Sequence, residues 1–400
     1  MKPRLIARPA YLEQLVNFRD TRLIKVISGI RRCGKSTLLD LFATYLQSSG
    51  VPSGNILRVN LEDPDFRELT TWERLYDHIA ARLRKGTMNY VFIDEVQTVP
   101  EFQRAVDGLF VKKNCDVYVT GFNASLLSCE LATRLSGRYV EIKMLPLSFR
   151  EYVSAFDSRS DLALRYRDYL RNSSFPYTLE LGRPQDIRAY LGAIYDSIIL
   201  KDIVARKGIA DVAQLDRLVR FLADNIGSLC SATKIANTLA SAGWKLSVHT
   251  VDNYLSALTE SFIFHKAGRY DVRGKQRLVT GAKYYLSDIG LRYFLLGGQN
   301  ADMGHILENI VYLELLRRGD EVFVGKTVGG EIDFVTVGAK GEQYWQVAHT
   351  VADPQTLARE LAPLDALRDH SPKYLLTMDA VPDVAHNGIR QAFVLDWLLD

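Results

Sequence analysis

Eight consecutive residues, Gly29-Ile30-Arg31-Arg32-Cys33-Gly34-Lys35-Ser36, constrain this chain more than any other stretch. They satisfy the pattern G-x-x-x-x-G-K-[ST], which works only between the end of a strand and the start of a helix. The flanks meet that demand. Leu23-Ile24-Lys25-Val26-Ile27-Ser28 is an extended apolar run, and residues 36 to 48 carry helical periodicity. The glycines let backbone N–H groups approach phosphate oxygens closely, and the helix N-terminus adds a favourable field for anions. Lys35 then reaches the outer phosphates, and the Ser36 hydroxyl is placed to ligate magnesium. Residues 29 to 37, closing on Thr37, are the expected nucleotide-binding stretch.

A second element completes that chemistry. Tyr90-Val91-Phe92-Ile93-Asp94-Glu95 is an apolar strand that ends in two carboxylates. Asp94 is expected to hold magnesium together with Ser36, and Glu95 to polarise an attacking water as general base. The second acid favours hydrolysis over transfer to a small molecule, since kinases of the nucleotide type need no base there. Further strands are expected at residues 56–60, 117–120 and 139–142. Near-continuous apolar strands alternating with helices imply a parallel sheet covered on both faces.

Beyond residue 148 the pattern changes. Residues 149 to 204 read as about three or four helices. Two helical runs, Ala232 to Leu239 and Ser247 to Leu258, flank a turn at Gly243 with helix-turn-helix spacing. The basic segment after them, with Lys266, Arg269, Arg273, Lys275, Arg277 and Lys283, is expected to be a wing. The tail is again α/β, with a helix at 306–317 and strands at 321–324, 331–335, 343–347, 373–377 and 392–395. The expected architecture is therefore an α/β parallel-sheet P-loop domain at 1–148, a lid-like helical segment at 149–205, a winged-helix module at 206–295 and an α/β domain at 296–400.

Composition excludes little. Fifty basic residues against 47 acidic give a net charge of +3, so any nucleic-acid binding must come from a local patch. Cys33, Cys115, Cys129 and Cys230 lack metal or disulfide spacing, and no run has the length of a membrane-spanning helix. These features lead us to expect a soluble, cytoplasmic protein.

The quoted motifs, with Asn60-Leu61-Glu62-Asp63, Val91 to Gln97, Thr120-Gly121-Phe122-Asn123, Leu131 to Arg138 and Leu145-Pro146-Leu147-Ser148-Phe149, resemble the AAA+ superfamily ATPases that carry a C-terminal domain of unknown function. Leu200-Lys201-Asp202-Ile203, Leu286-Ser287-Asp288-Ile289-Gly290, Leu307-Glu308-Asn309 and Glu331-Ile332-Asp333-Phe334 extend the resemblance over nearly the whole chain. It implies ATP and magnesium as ligands. It also implies Asn123 as the sensor of the γ-phosphate, with Thr120 the weaker candidate, and Asn60 as the residue restraining Glu95. Arg134 or Arg138 would be a finger reaching a neighbour's nucleotide, and hence the protein a homo-oligomer, with a hexamer among the closures allowed. Two departures stand out: Phe122 where a small residue is expected, and Ser173-Ser174-Phe175-Pro176 in place of a more glycine-rich turn.

For the C-terminal half, Lys234, Lys245, His249, Lys275 and Arg277 are candidate phosphate contacts on DNA, and Asn253 a base contact. The last domain resembles a restriction-endonuclease core, with Glu308 as the helix acid, Asp333 (or Glu331) as the strand acid, Gln346 opening the last element and Ala348 where a lysine belongs. That makes a binding platform a better expectation than an active nuclease. Taken together, these observations point to an ATP-hydrolysing oligomer acting on DNA, branched or forked DNA included. The alternatives are a nucleotide switch that binds protein partners and, behind it, an ATP-dependent nuclease.

Overall fold

The structure is a computed structural model and describes residues 5–121, 137–156, 161–209, 211–298, 302–380 and 384–400. The chain forms two compact units, one of Met1–Pro146 with Glu260–Phe262, the other of Leu147–Thr259 with Ile263–Asp400.

In the first unit five strands pair in parallel in the order β2-β3-β4-β1-β5. They are β1 Ile24–Ser28, β2 Ile56–Asn60, β3 Asn89–Asp94, β4 Cys115–Gly121 and β5 Tyr139–Lys143. Helices α1 Pro9–Asn17, α2 Lys35–Ser48, α3 Trp72–Ala80 and α4 Phe102–Val111 accompany them. Alternation along each strand explains why both sheet faces are covered. Val91, Ile93, Val117 and Val119 form one core with Leu75 and Ile79 of α3 and with Phe102, Val106 and Leu109 of α4. The intervening Phe92 and Tyr118 point the other way and meet Phe42 of α2, with ring centroids 5.9 and 5.0 Å apart. Burying rings and aliphatic chains at this density is the main favourable term holding such a sheet, at ~25 cal/mol per Å² of apolar surface.

The second unit begins with helices Phe149–Ser154, Leu162–Asn172 and Pro184–Asp196, the last running on through a π-helical stretch at Ser197–Val204. Helices Val212–Asp224, Ala232–Ser241 and Val248–Glu260 follow. An eight-stranded mixed sheet then forms in the order β12-β13-β11-β10-β9-β8-β6-β7. Its strands are β6 Phe264–Asp271, β7 Gln276–Leu286, β8 Glu321–Thr327, β9 Gly330–Gly338, β10 Gly341–Ala348, β11 Lys373–Thr377, β12 Val384–His386 and β13 Ile389–Phe393. The basic segment expected as a wing is thus the β6–β7 hairpin, and it shares one sheet with the C-terminal strands. The expected boundaries at 205/206 and 295/296 fall inside this unit. The strand expected at 392–395 ends at Phe393, where helix Val394–Leu399 starts and buries Val394, Leu395, Trp397 and Leu398 at helical spacing.

The turn at Ser173–Pro176 has a physical account. Ser173 sits at φ 76°, a region that favours glycine, so the glycine-rich character expected there reflects real backbone demand. Asp288 holds the turn. Its carboxylate accepts from Ser174 N and Ser174 Oγ, each at 2.6 Å, and caps helix Ile289–Leu296 through Leu291 N at 2.8 Å. Gly290 lets the chains close up, since a Cβ there would lie 2.5 Å from Ser173 Cα. Among the described residues, no helix is long and apolar enough to cross a membrane.

Candidate functional site

Strand β4 lies between β1 and β3, so the C-terminal ends of three adjacent strands converge. Ligands in open α/β sheets bind at that edge. The expected phosphate loop spans the gap from β1 to α2. Gly29 has φ 150° and Gly34 φ 105°, and Gly34 is the N-cap of α2 with no side chain on its capping N–H groups. A Cβ on Gly29 would stand 2.1 Å from Met144 O, so only glycine lets the loop lie against the segment after β5. Arg32 also takes a left-handed conformation, at φ 67°.

Inside this loop Lys35 is buried, and its ammonium donates to Gly29 O at 3.1 Å and Ile30 O at 3.3 Å. Ile30 and Cys33 are buried, whereas Arg32, Ser36 and Thr37 are exposed. Burial pushes the Cys33 thiol up, which keeps it protonated and unreactive. Arg31 pairs with Glu62 at 3.2 Å. A residue given no role by the sequence pins the loop from below. Arg8 is buried and donates to Cys33 O at 3.1 Å and to Leu145 O at 2.7 Å.

The two acids stand at the end of β3. Asp94 accepts from the Thr120 hydroxyl of β4, and the same hydroxyl oxygen accepts from Glu95 N at 3.0 Å. Thr120 therefore fastens the acid pair to the neighbouring strand. Glu95 has φ 57° and ψ 47°, a conformation rare outside glycine, and its side chain is 9% exposed. Burial raises the Glu95 carboxyl above its usual range, with Lys35 and a hydrogen bond from Gln97 opposing. The donor set suits its expected ligands. Backbone N–H groups and a lysine answer phosphate oxygens, while a serine hydroxyl and a carboxylate answer a hard cation that prefers oxygen.

The remaining expected residues are distributed as follows. Asn123 and Arg134 lie outside the described residues. Asn60 is exposed, and its Oδ1 accepts from Glu62 N at 3.0 Å, within its own turn. Arg138 is half exposed, pairs with Asp107 at 2.9 Å and lies over the Phe110 ring.

In the second unit Lys234, Lys245, His249 and Asn253 are exposed on the helix pair or its connecting turn, and His249 Nε2 lies 3.3 Å from Asn253 Nδ2. Lys275 and Arg277 are engaged elsewhere, with Glu342 at 3.6 Å and Glu321 at 2.7 Å. The nuclease-like residues do come together, but around a cation expected in the wing. Lys283 of β7 is buried and lies 2.8 Å from Glu308, 2.8 Å from Glu331 and 3.8 Å from Asp333. Tyr285 OH donates to Glu308 at 2.5 Å. Gln346 accepts from Asp333 N at 3.4 Å and donates to Glu360 at 2.9 Å. Among the described residues no group of three or more acids, histidines or cysteines is arranged to hold a metal ion.

Residues 21–153 match the family described as AAA domain, and residues 163–302 a domain of unknown function (DUF8612). An uncharacterized protein of Haemophilus influenzae is 42% identical, with 100% of both chains covered. An uncharacterized protein of Methanocaldococcus jannaschii is 26% identical over 80% of this chain and 73% of its own. Among solved structures, the Walker-type ATPase of Pyrococcus abyssi shares 16% identity with a TM-score of 0.51, over 74% of this chain and 98% of that one, which is a likeness of fold. Identity of this degree along the whole length means that the chain belongs to the family of the Haemophilus influenzae protein, and that its first unit is an AAA-type P-loop domain.

Proposed function

We propose that the chain binds ATP with magnesium at residues 29–37 and hydrolyses it, working as a homo-oligomer on DNA. The observation that carries the hydrolytic reading is the convergence of the phosphate loop, Asp94 and Glu95 at one sheet edge, with Thr120 fastening both acids. The loop N–H groups and Lys35 bind and orient the triphosphate, and Lys35 exchanges its loop carbonyls for phosphate oxygens. Ser36 and Asp94 would hold the magnesium ion, whose role when bound is to neutralise charge on the outer phosphates. Glu95 takes a proton from the attacking water. The water oxygen bonds to the γ-phosphorus as the bond from that phosphorus to its bridging oxygen breaks, so the electron pair leaves with ADP and the γ-phosphoryl group is released as inorganic phosphate. A carboxyl raised by burial is a stronger base than one in water, which suits this task.

Arg138, half exposed at the start of β5, is the described candidate for a finger that stabilises charge on a neighbouring subunit's nucleotide. The exposed Lys234, Lys245, His249 and Asn253 on one helix pair support the DNA reading. Lys275 and Arg277, tied to carboxylates, support the second reading, in which this unit is a platform for protein partners.

The test is the ATPase rate of the wild type, Lys35→Ala and Glu95→Gln, with and without single-stranded, duplex and forked DNA at low and physiological salt. We expect Lys35→Ala to lose nucleotide binding. Glu95→Gln should bind ATP yet turn over on the order of 10²-fold more slowly. Full turnover in both variants would overturn the site. Stimulation by one DNA form that fades with salt supports DNA as substrate, whereas absence of both binding and stimulation transfers the role to protein partners.

A further inference from the structure

The second unit holds a cavity of about 320 Å³ against its mixed sheet. That lies near the lower bound of about 300 Å³ for sites that enclose small molecules, and it is too small for a duplex or a folded partner. An aromatic ladder forms its floor. Trp345 of β10 is in register with Tyr374 of β11, and Tyr374 with Arg390 of β13, so the three side chains stand on one face of the sheet. The Trp345 and Tyr374 rings are stacked, with centroids 4.2 Å apart and planes 16° apart. Trp345 Nε1 donates to Thr336 Oγ1 at 3.1 Å, which fixes the indole. Trp397 of the last helix makes a side wall 5.5 Å from Trp345, and the Arg318 guanidinium covers it at 4.2 Å. Arg318 is itself held, by Glu314 at 3.2 Å and by Trp397 O at 2.6 Å.

The polar lining is the more telling part. Three cations, Arg318, Lys340 and Arg390, face the cavity together with two acids, Asp320 and Asp400. Asp400 O accepts from Arg150 at 2.7 Å, and Asp320 lies against Gly338, where a Cβ would come within 2.0 Å of Asp320 Oδ1. The balance favours an anion. Lys340 and Arg390 are exposed, so their charges can reach a ligand at the mouth. Gln343 shares the strand face of Trp345 and brings an amide that both donates and accepts. Among the described residues neither this amide nor the Tyr374 hydroxyl forms a hydrogen bond. A ring surface, a two-way amide and exposed cations together answer the three parts of a nucleotide. The base has a π-face to stack on, its edge a hydrogen-bond partner and its phosphate positive charge.

We propose that this cavity is a nucleotide site separate from the phosphate loop, seating one base against Tyr374 and Trp345 and its phosphate at Lys340 and Arg390. A free mononucleotide and the end of a single DNA strand share that chemistry. Every lining residue belongs to the second unit, so the site stands whether or not residues 29–37 bind ATP.

The experiment titrates the full chain carrying Lys35→Ala, which silences the phosphate loop, with two probes: fluorescent etheno-AMP and a short 5′-phosphorylated oligothymidylate. Added to that chain are Tyr374→Leu, which removes the ring, and the pair Lys340→Ala and Arg390→Ala, which removes the cations from exposed positions. We expect at least one probe to bind with Kd below about 1 mM. Tyr374→Leu should weaken it about tenfold or more, and the cation pair by a similar factor with a flatter salt dependence. Etheno-AMP bound as tightly as the oligonucleotide supports the proposal with free nucleotide as ligand. Oligonucleotide bound without etheno-AMP supports it with a strand end. If Tyr374→Leu does not fold, the cation pair carries the test. No binding of either probe, or an affinity that the substitutions leave within about twofold, overturns the proposal.

Discussion

Replacing Lys283 by Met tests how the second unit tolerates its buried acids. The Lys283 side chain is 5% exposed and that of Glu308 7%. Removing the lysine leaves the buried Glu308 without its cation, at a cost of about 3–5 kcal/mol. Glu331 is 39% exposed, so solvent screens its share and it adds little. Asp333 supplies a pH signature. Burial and the neighbouring Glu308 hold its carboxyl above the usual range, against the pull of Lys283. Between the ordinary carboxyl range and that raised value, the folded state carries more protons than the unfolded one. Stability therefore falls as pH rises through this window. Without Lys283 the fall steepens, so the deficit of Lys283→Met is larger at pH 8 than at pH 5. Urea unfolding followed by tryptophan fluorescence measures it, because Trp244, Trp345 and Trp397 all belong to the second unit. Adding Glu308→Gln restores most of the loss, since the stranded charge is then gone. A single variant as stable as the wild type at pH 8, or a double variant no better than the single, would refute this account.

Two further outcomes bear on structure outside the acids. Arg8→Met should lower the stability of the first unit by about 2–4 kcal/mol and weaken nucleotide affinity, because the carbonyls of Cys33 and Leu145 lose a buried charged donor; calorimetric titration with ATP and chemical unfolding check both. Asp288→Ala should cost about 2–4 kcal/mol, through a lost helix cap and the stranded donors of Ser174. Asp288→Asn, which keeps one carbonyl acceptor, should cost clearly less in the same thermal melts.

Several elements were legible in the sequence because their physics is local. The phosphate loop shows in eight adjacent residues, the β3 acids in six, and the parallel sheet in strands whose apolar runs have the length and β-branching of buried strands. The helix pair at 232–241 and 248–260 was readable from its period and from the turn at Gly243. What escaped reading lay in partners. Lys283 looked like a solvated wing lysine because nothing within its strand reveals Glu308, 25 residues on. Arg8 meets Leu145 across 137 residues.

By itself the sequence determined a glycine-bearing loop between a strand and a helix, an acid pair at the end of a second strand, and a parallel sheet that carries both. Tertiary structure alone decided that β4 lies between β1 and β3, so that Thr120 holds both acids, and that a lysine from a hairpin occupies the acidic cluster of the second unit. The reason is that periodicity and motif spacing record what a residue does to its neighbours within a turn or two of chain. Strand order and buried charge compensation depend on contacts that form only when distant segments close on one another.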